Sequence, residues 1–356
     1  MGGKLFHLPR MPRADYVVRE AAVRETLDLL GIEHRIPRYY GDKIDFGDID
    51  VLVQDRGDWD VQRAAVVEAL GITDTKTVGR VFSTAFRGLQ TDFFPVAPQY
   101  LGSTYDFMSF NDLGNLLGRI CRRFELKWGE LGLAYVFRRT SVNNHVVDLP
   151  ITQDFGRVCE FLGLEHAAWV RGFATLVELY EWVVRSPYFS VAPYLDDPAG
   201  AMAKRGRDRP TIARFVEFLR ERDIAARPVF GERSAYLDLV VAAFPEARLA
   251  EQLAAEHAAE ARAVAIAARW SGKLVMRLRP ERGQALGELI MAFKRSIIAP
   301  SSPPLVPPSS PPLIPPSSRP DGAGEAAFEA WVLATPEAEI ERRIIEFRFE
   351  PRRNTY

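Results

Sequence analysis

Cysteine and histidine are scarce in this 356-residue chain, and their positions form no recognisable site. Cys121 and Cys159 are the only cysteines, and neither belongs to a CxxC pair. Without a disulfide framework the chain is typical of a reduced, intracellular protein, and we expect it in the cytoplasm. The five histidines are scattered, so the sequence shows no zinc-type spacing. The phosphate-binding patterns GxxxxGKS/T and GxGxxG are also absent, which removes the P-loop and Rossmann fingerprints.

Long apolar runs and a large excess of one charge are missing as well. The first residues, MGGKLFHLPRMPR, have no apolar signal-peptide core, and no run approaches membrane-spanning length, so we expect no membrane association. The formal net charge is −1, which excludes a histone-like polycation but allows local basic patches. Lysine supplies only seven of the 46 basic residues. The arginine excess suits bidentate phosphate contact, although codon bias explains such a ratio equally well.

The periodicity of apolar residues predicts both helices and strands in the first half of the chain. The predicted helices are 14–30, 61–70 and 111–127. The predicted strands are 49–53, 89–96, 134–140 and 144–152. The first helix should bury one face, formed by Tyr16, Val23, Leu27 and Leu30. The last two strands should form a hairpin that turns at Asn143-Asn144.

The second half, from 157 to 298, has mainly helical patterns, with long amphipathic segments at 211–222 and 246–269. Between 299 and 318 the unit SSPPLxPP occurs twice, and this density of proline favours an extended, mobile linker. Such a linker could bind an SH3-type partner, but a passive loop is the simpler expectation. Residues 323–347 return to a helical pattern, which we expect to pack back on the helical domain. The predicted division is a mixed domain at 1–155, a helical domain at 156–298, a Pro/Ser-rich linker at 299–320 and a C-terminal helix at 321–356.

The stretch GDIDVLV, residues 47–53, places two carboxylates two residues apart in an otherwise apolar strand. Residues i and i+2 of a strand share one face, so Asp48 and Asp50 should stand side by side. The opposite, core-facing side should carry Ile49, Val51 and Val53. Two adjacent carboxylates repel each other unless a cation lies between them, and a hard divalent metal with oxygen ligands removes that penalty. The alternative is an exposed acidic strand end in which the proximity is accidental.

A third carboxylate, Asp92, lies within the apolar strand LQTDFFPV, residues 89–96. An ionisable group in such surroundings needs a partner. If this strand lies beside the first, Asp92 completes a cluster that could hold two Mg²⁺ ions, or Mn²⁺. Two metals can activate an attacking hydroxyl and hold a triphosphate in line. A helix N-cap or an ion pair with a nearby arginine is the alternative role for Asp92.

In these features the sequence resembles the nucleotidyltransferase superfamily typified by DNA polymerase beta. GDIDVLV is similar to the paired-Asp strand of that family, and TDFFPVAP to the strand with its third catalytic Asp. Residues 105–133 are similar to the family X segment in which an aromatic nucleotide-binding stretch leads into a helix and an LNEYGL-like strand, here KWGELGL. The resemblance implies an α+β fold with a polymerase beta-like palm at 1–155, followed by a mostly helical C-terminal domain. It also implies that Asp48, Asp50 and Asp92 are the catalytic and metal-binding residues.

The chain departs from the family at the residues expected to bind phosphate. The family has Gly-Ser ahead of the paired Asp, whereas Gly41-Asp42 occupies the comparable place here. Because Asp42 can only accept hydrogen bonds, phosphate contact would pass to backbone amides and to Lys43 or Arg38. No helix-hairpin-helix segment precedes residue 14, which weakens a gap-filling DNA role. Residues 270–294 resemble, more weakly, the tail element of CCA-adding and poly(A)-polymerase-like enzymes, with an expected role in helix packing.

Two basic runs are candidates for contact with nucleic acid. The residues predicted to make this contact are Arg119, Arg122 and Arg123 in one run and Lys204, Arg205 and Arg207 in the other. Arg and Lys clustered beside an acidic metal site would guide a polyphosphate backbone. A solvated helix face is the alternative for both runs.

Three functions are compatible with the sequence. The leading hypothesis is a magnesium-dependent nucleotidyltransferase that joins NMP from an NTP, such as ATP, to a nucleic-acid 3′-hydroxyl, most plausibly of RNA. The second keeps this chemistry but transfers to a small-molecule or protein hydroxyl. The third is an inactive nucleotidyltransferase fold that serves as a binding scaffold, which the intact Asp48, Asp50 and Asp92 argue against.

Overall fold

The computed structural model describes residues 5–139, 146–195, 209–222, 224, 231, 233–298 and 322–350. Within these residues strands and helices mix up to Thr152 and helices follow, so the predicted α+β class is confirmed. The strands are β1 Met11–Pro12, β2 His34–Arg35, β3 Asp45–Phe46, β4 Asp48–Gln54, β5 Thr75–Val78, β6 Val81–Phe86, β7 Leu89–Val96, β8 Leu126–Gly129, β9 Gly132–Arg138 and β10 Val146–Thr152. The helices of the first half are α1 Arg13–Leu29, α2 Trp59–Leu70, α3 Leu101–Met108 and α4 Leu113–Cys121.

Helices account for the regular structure of the second half. They are α5 Phe155–Phe161, α6 His166–Arg171, α7 Leu176–Val184, α8 Ala192–Leu195, α9 Pro210–Glu221, α10 Leu237–Ala243, α11 Leu249–Arg269, α12 Gly272–Leu278, α13 Gly283–Ile298, α14 Gly322–Ala334 and α15 Glu337–Glu346. In the part of the chain that the structure describes, none of these helices combines the length and the apolar character needed to span a bilayer.

A five-stranded sheet in the order β2-β4-β7-β6-β5 forms the centre of the first half. β4 and β7 are parallel neighbours, and the remaining pairs of this sheet are antiparallel. Both central strands consist largely of β-branched and aromatic residues, which pack well on a pleated surface. Val51 and Phe93, for example, are register partners and are both fully buried.

Helix α1 contributes the predicted apolar face to the core on one side of this sheet. Its buried residues Tyr16, Val23 and Leu27 belong to the same hydrophobic cluster as the core face of β4. The prediction that Leu30 joins this face is wrong, because Leu30 is 37% exposed. The helix ends at Leu29, so Leu30 is no longer part of its apolar face. Gly31, with a φ of +66°, then changes the direction of the chain.

The helix predicted across 111–127 is shorter than expected. It covers only α4, and a single 3₁₀ turn, Arg122–Phe124, follows it. Glu125 then adopts a left-handed φ of +55°, which no α-helix continues through, and the chain enters β8. Lys127 therefore lies on a strand and not on the helix that carries Arg119.

The predicted hairpin is confirmed in its pairing. β9 and β10 are antiparallel, with Val146 opposite Arg138, and β8 completes a three-stranded sheet in the order β10-β9-β8. The predicted turn at Asn143-Asn144 lies outside the described residues.

The C-terminal pattern predicted as one helix forms two. α14 and α15 are separated at Thr335-Pro336, because proline cannot supply the backbone N–H that a continuous helix needs. Both helices contribute to one hydrophobic cluster with α12 and α13, whose buried members are Trp270, Val275, Leu289, Phe293, Phe328, Val332, Ile340 and Ile344.

By its internal contacts the chain groups into two compact units. One contains the residues up to Arg138 and Val146–Gln252, and the other contains Arg139–His145 and the residues from Leu253 onward. The carboxylates discussed below all belong to the first unit. The four-part division into domains stays a prediction, and its Pro/Ser-rich linker lies outside the described residues.

Candidate metal centre

The parallel pairing of β4 and β7 brings the three predicted carboxylates together. Asp50 lies directly opposite Asp92 in the register, and Asp48 lies opposite Gln90. One ligand oxygen of each of Asp48, Asp50 and Asp92 lies within 4.8 Å of the others. The residues that the sequence analysis selected from two separate strands therefore form one cluster.

The alternation of side chains along β4 explains why this cluster forms. The predicted core residues Ile49, Val51 and Val53 are fully buried in the hydrophobic cluster behind the sheet. Asp48 and Asp50 point the other way and are partly buried, as the period of two requires. Asp92 is 9% exposed, so it shares this low-dielectric setting.

Burial and mutual repulsion make the cluster hard to ionise. Burial, and then the charges of Asp48 and Asp92, raise the pKa of Asp50 to about 8. Burial also raises the pKa of Asp48, with Asp92 as the next cause. A bound divalent cation would reverse this by favouring the charged forms, and carboxylate oxygens are the ligands that Mg²⁺ and Mn²⁺ prefer. The donor set therefore fits the predicted metal.

Lys43 is a positive group near these carboxylates, and it opposes the pKa shifts of both Asp48 and Asp50. Its Nζ donates a hydrogen bond to Asn111 Oδ1 at 3.2 Å and lies 4.2 Å from the centroid of the Phe46 ring. Burial lowers the pKa of Lys43 to about 8. The side chain is thus held beside the carboxylates without being paired to one of them.

Gln90 is a functional candidate that the sequence analysis missed. Its Nε2 donates to both carboxylate oxygens of Asp92, at 3.1 and 2.9 Å, and its Oε1 accepts a hydrogen bond from the Leu5 backbone N–H at 3.2 Å. Gln90 is 6% exposed, so water competes little for these bonds. The available signal was its position two residues before Asp92, which puts both side chains on one face of β7.

Asp48 and Asp50 line a cavity of about 350 Å³, called here the carboxylate cavity. Of the predicted nucleotide-binding residues, Lys43 and Arg38 also line it. The Arg38 guanidinium donates to the Trp169 carbonyl oxygen at 2.6 Å and lies 5.0 Å from the Phe110 ring centroid. Arg38 is therefore fixed in the wall of the cavity.

The other two predicted nucleotide-binding residues face the segment that precedes α7. The Gly41 N–H donates to the Phe173 carbonyl oxygen at 2.8 Å, and a Cβ on Gly41 would lie 2.6 Å from the Ala174 carbonyl oxygen. Asp42 Oδ1 accepts from the Leu176 N–H, at the beginning of α7, at 3.0 Å. These contacts give Gly41 and Asp42 a packing role, and their contact with phosphate stays a prediction.

Arg209 and Asp112 are cavity residues that the site prediction did not include. Arg209 Nη1 lies 2.6 Å from Asp112 Oδ1, which also accepts a hydrogen bond from Asn115 Nδ2 at 3.2 Å. All three residues line the carboxylate cavity. Arg209 is the last arginine of the run AKRGRDRP, but a contact with a residue so distant in sequence has no local signal. Lys204, Arg205 and Arg207, from the same run, lie outside the described residues.

The basic residues after α4 have separate environments. The Arg119 guanidinium lies 5.4 Å from the Tyr194 ring centroid, and Arg122 lines a second, larger cavity. Arg123 follows on the same 3₁₀ turn. Lys127, at the end of the predicted run, forms an ion pair with Asp148. Contact of Arg119, Arg122 and Arg123 with nucleic acid stays a prediction.

No protein-family model and no curated protein matches the chain. Among solved structures, the chain is similar to Leishmania infantum polymerase beta in a ternary P/T complex, at 14% identity and a TM-score of 0.35, covering 44% of this chain and 74% of that one. The same enzyme in a ternary gap complex matches at 14% identity and a TM-score of 0.31, with 36% of this chain and 52% of that one covered. The proposals below depend on the chain's own sheet and carboxylates.

Proposed function

We propose that this chain is a metal-dependent nucleotidyltransferase that transfers NMP from an NTP to an acceptor hydroxyl. The observation that carries the proposal is the cluster of Asp48, Asp50 and Asp92 on two parallel strands. Three converging, partly buried carboxylates destabilise a protein unless a cation neutralises them, so their presence supports a metal site. Two Mg²⁺ ions, or Mn²⁺, are the proposed occupants, with all three residues as ligands.

The reaction joins the acceptor oxygen to the α-phosphorus of the NTP and breaks its bond to the oxygen that bridges to the β-phosphorus. Pyrophosphate leaves with that electron pair. Asp48 and Asp50 would hold the metals, whose chemistry is to neutralise the triphosphate and the charge that develops on it. Asp92 would receive the proton of the attacking hydroxyl, with Gln90 orienting its carboxylate. Lys43 and Arg209, which line the carboxylate cavity, would bind phosphate oxygens.

The proposed acceptor is a nucleic-acid 3′-hydroxyl, most plausibly of RNA, with ATP among the donors. Arg119, Arg122 and Arg123 support this choice by placing positive charge on and after α4, whose Asn115 lines the carboxylate cavity. A small-molecule or protein hydroxyl is the second candidate. One observation favours this candidate. Several charged side chains around the second, larger cavity, which Arg122 lines, already form ion pairs within the protein.

The test is to incubate the chain with each labelled NTP, Mg²⁺ or Mn²⁺, and separate RNA, DNA, small-molecule and protein acceptors. Labelled RNA is the expected product. Asp48→Ala and Asp50→Ala should abolish transfer but leave the fold intact, because each change relieves repulsion. Asp92→Ala should slow the chemical step much more than it weakens NTP binding. Full activity in the Asp48 or Asp50 variant would contradict the proposal.

A further inference from the structure

A second cavity lies between α4 and the three-stranded sheet β8–β10 and is called here the α4–sheet cavity. Its volume is about 890 Å³, compared with about 350 Å³ for the carboxylate cavity. Phe107, Asn115 and Glu130 line both cavities, which therefore adjoin. Sites that bind small organic molecules commonly have volumes of about 300–1,000 Å³. The larger cavity can hold a whole nucleotide beside the carboxylates.

The lining of the α4–sheet cavity includes apolar side chains and two glycines of α4. Gly114 and Gly118 are the α4 glycines of its lining, with Gly114 packed closely against Phe107 and Gly118 facing the Trp128 carbonyl oxygen. The opposite wall includes Leu126, Trp128 and Leu133, each of which is almost fully buried. Apolar side chains in the lining suit a nucleotide base better than a solvated chain of phosphates.

The charges around this cavity are balanced, and most of them are paired. Three cationic and three anionic side chains line it, namely Arg122, Lys127, Arg138, Glu125, Glu130 and Asp148. Lys127 pairs with Asp148, and Arg138 pairs with Glu125 at 3.4 Å. Glu130 pairs with Arg80. Within the described part of the chain, Arg122 has no carboxylate partner, so it is the cation of this lining available to a ligand.

We propose that the α4–sheet cavity is the acceptor subsite and takes one nucleotide unit, whose single phosphate binds Arg122. The proposal rests on the proposed function, because it gives the transferred NMP an acceptor held next to the carboxylates. A longer row of phosphates would meet side chains that are already paired and would have to separate them. One phosphate contact therefore dominates the electrostatics, and a log–log salt slope of about −0.7 is expected for single-stranded ligands.

The first experiment measures equilibrium binding of a nucleoside 5′-monophosphate and of the matching nucleoside to the full chain. The monophosphate should bind about tenfold more tightly, since a hydrogen-bonded phosphate is worth roughly that factor. Arg122→Gln should remove the difference, whereas Arg220→Gln, an exposed arginine on α9, should not. Gly118→Leu should weaken both ligands, because a Cβ there meets only the Trp128 carbonyl oxygen, at 3.7 Å, and a longer side chain would fill the cavity.

Variants of both sites test whether the monophosphate binds at the NTP site instead of the α4–sheet cavity. Arg122→Gln should leave the affinity for NTP unchanged, and Lys43→Gln should weaken NTP binding but not monophosphate binding. A trinucleotide should bind within about threefold of the monophosphate and with the same salt slope. The proposal is overturned if Arg122→Gln binds the monophosphate like the wild type, or if the trinucleotide shows a slope of about −2. Failure of the proposed function is a separate result, in which the wild type makes no transfer product with any acceptor.

Discussion

Asp50 is the residue at which burial and repulsion combine most strongly. Burial and the neighbouring charges of Asp48 and Asp92 raise its pKa in the folded chain to about 8, well above the usual range of an aspartate. Folding therefore favours the protonated form. The contribution of Asp50 to stability is intact below about pH 4 and is lost as the pH rises through about 8. Without metal, the protein should become less stable over this pH range.

Asp50→Asn tests that dependence because it mimics the protonated side chain. In EDTA at pH 9 the variant should melt higher than the wild type, by about 1–2 °C for each kcal/mol gained. Mg²⁺ or Mn²⁺ should raise the Tm of the wild type but not that of the variant. Asp74→Asn, at an exposed position, is the control and should follow the wild type. If Mg²⁺ or Mn²⁺ also raises the Tm of Asp50→Asn, this result would argue against a metal site at β4 and β7.

The hydrogen bonds of Gln90 predict an effect on the rate of the reaction. Because its amide holds both oxygens of Asp92, Gln90→Leu should lower kcat by about tenfold, the size of effect seen when groups that orient active ligands are removed. The Kd for NTP should change little. Gln54→Leu, at the far end of β4, is the matched control. A raised Kd with an unchanged kcat would assign Gln90 to nucleotide binding instead.

At the scale of secondary-structure elements, the ion pair Arg209–Asp112 joins the residue before α9 to the residue before α4. The Arg209 side chain is 44% exposed, so the pair should add no more than about 1 kcal/mol to stability. Arg209→Gln should consequently leave the Tm nearly unchanged. It should weaken NTP binding by about tenfold, through loss of a charge-assisted hydrogen bond to phosphate. Arg220→Gln on α9 is again the control, and equal NTP affinities in the two variants would contradict the role given to Arg209.

The elements show where sequence patterns succeed. The alternation in GDIDVLV and LQTDFFPV predicted two strands and the faces of Asp48, Asp50 and Asp92, because side-chain direction in a strand follows from a period of two. The helix across 111–127 was overestimated because its stop depends on the left-handed Glu125, a residue without the turn preference of glycine. Pro336 marks the break between α14 and α15 and is visible in the sequence. The helical pattern on both sides of it nevertheless led to the prediction of a single helix. Gln90 had a local signal, its position two residues before Asp92 on one face of β7, whereas the Arg209–Asp112 pair depends on a tertiary contact, for which a single sequence has no local signal.

At the scale of the whole molecule, the repeated SSPPLxPP segment predicts tolerance to deletion. Removal of residues 301–316 should leave transfer activity and Tm largely unchanged, because closing a shorter connection costs little free energy if the ends still meet. The wild type and the deletion variant can be compared by thermal melting and by the labelled-NTP assay. Unfolding of the deletion variant would mean that the segment is packed, and the predicted domain division would then be wrong.

The shared wall of the two cavities has a consequence for the affinities of the two substrates. A ligand in one cavity that fixes the positions of the Phe107, Asn115 and Glu130 side chains also changes the surface that a ligand in the other cavity contacts. Binding free energies are reciprocal, so any factor by which NTP tightens acceptor binding must equal the factor by which acceptor tightens NTP binding. Phe107→Ala should bring both factors towards one, in titrations of the monophosphate with and without a non-hydrolysable NTP. The wall would then couple the affinities of the two sites as well as divide them.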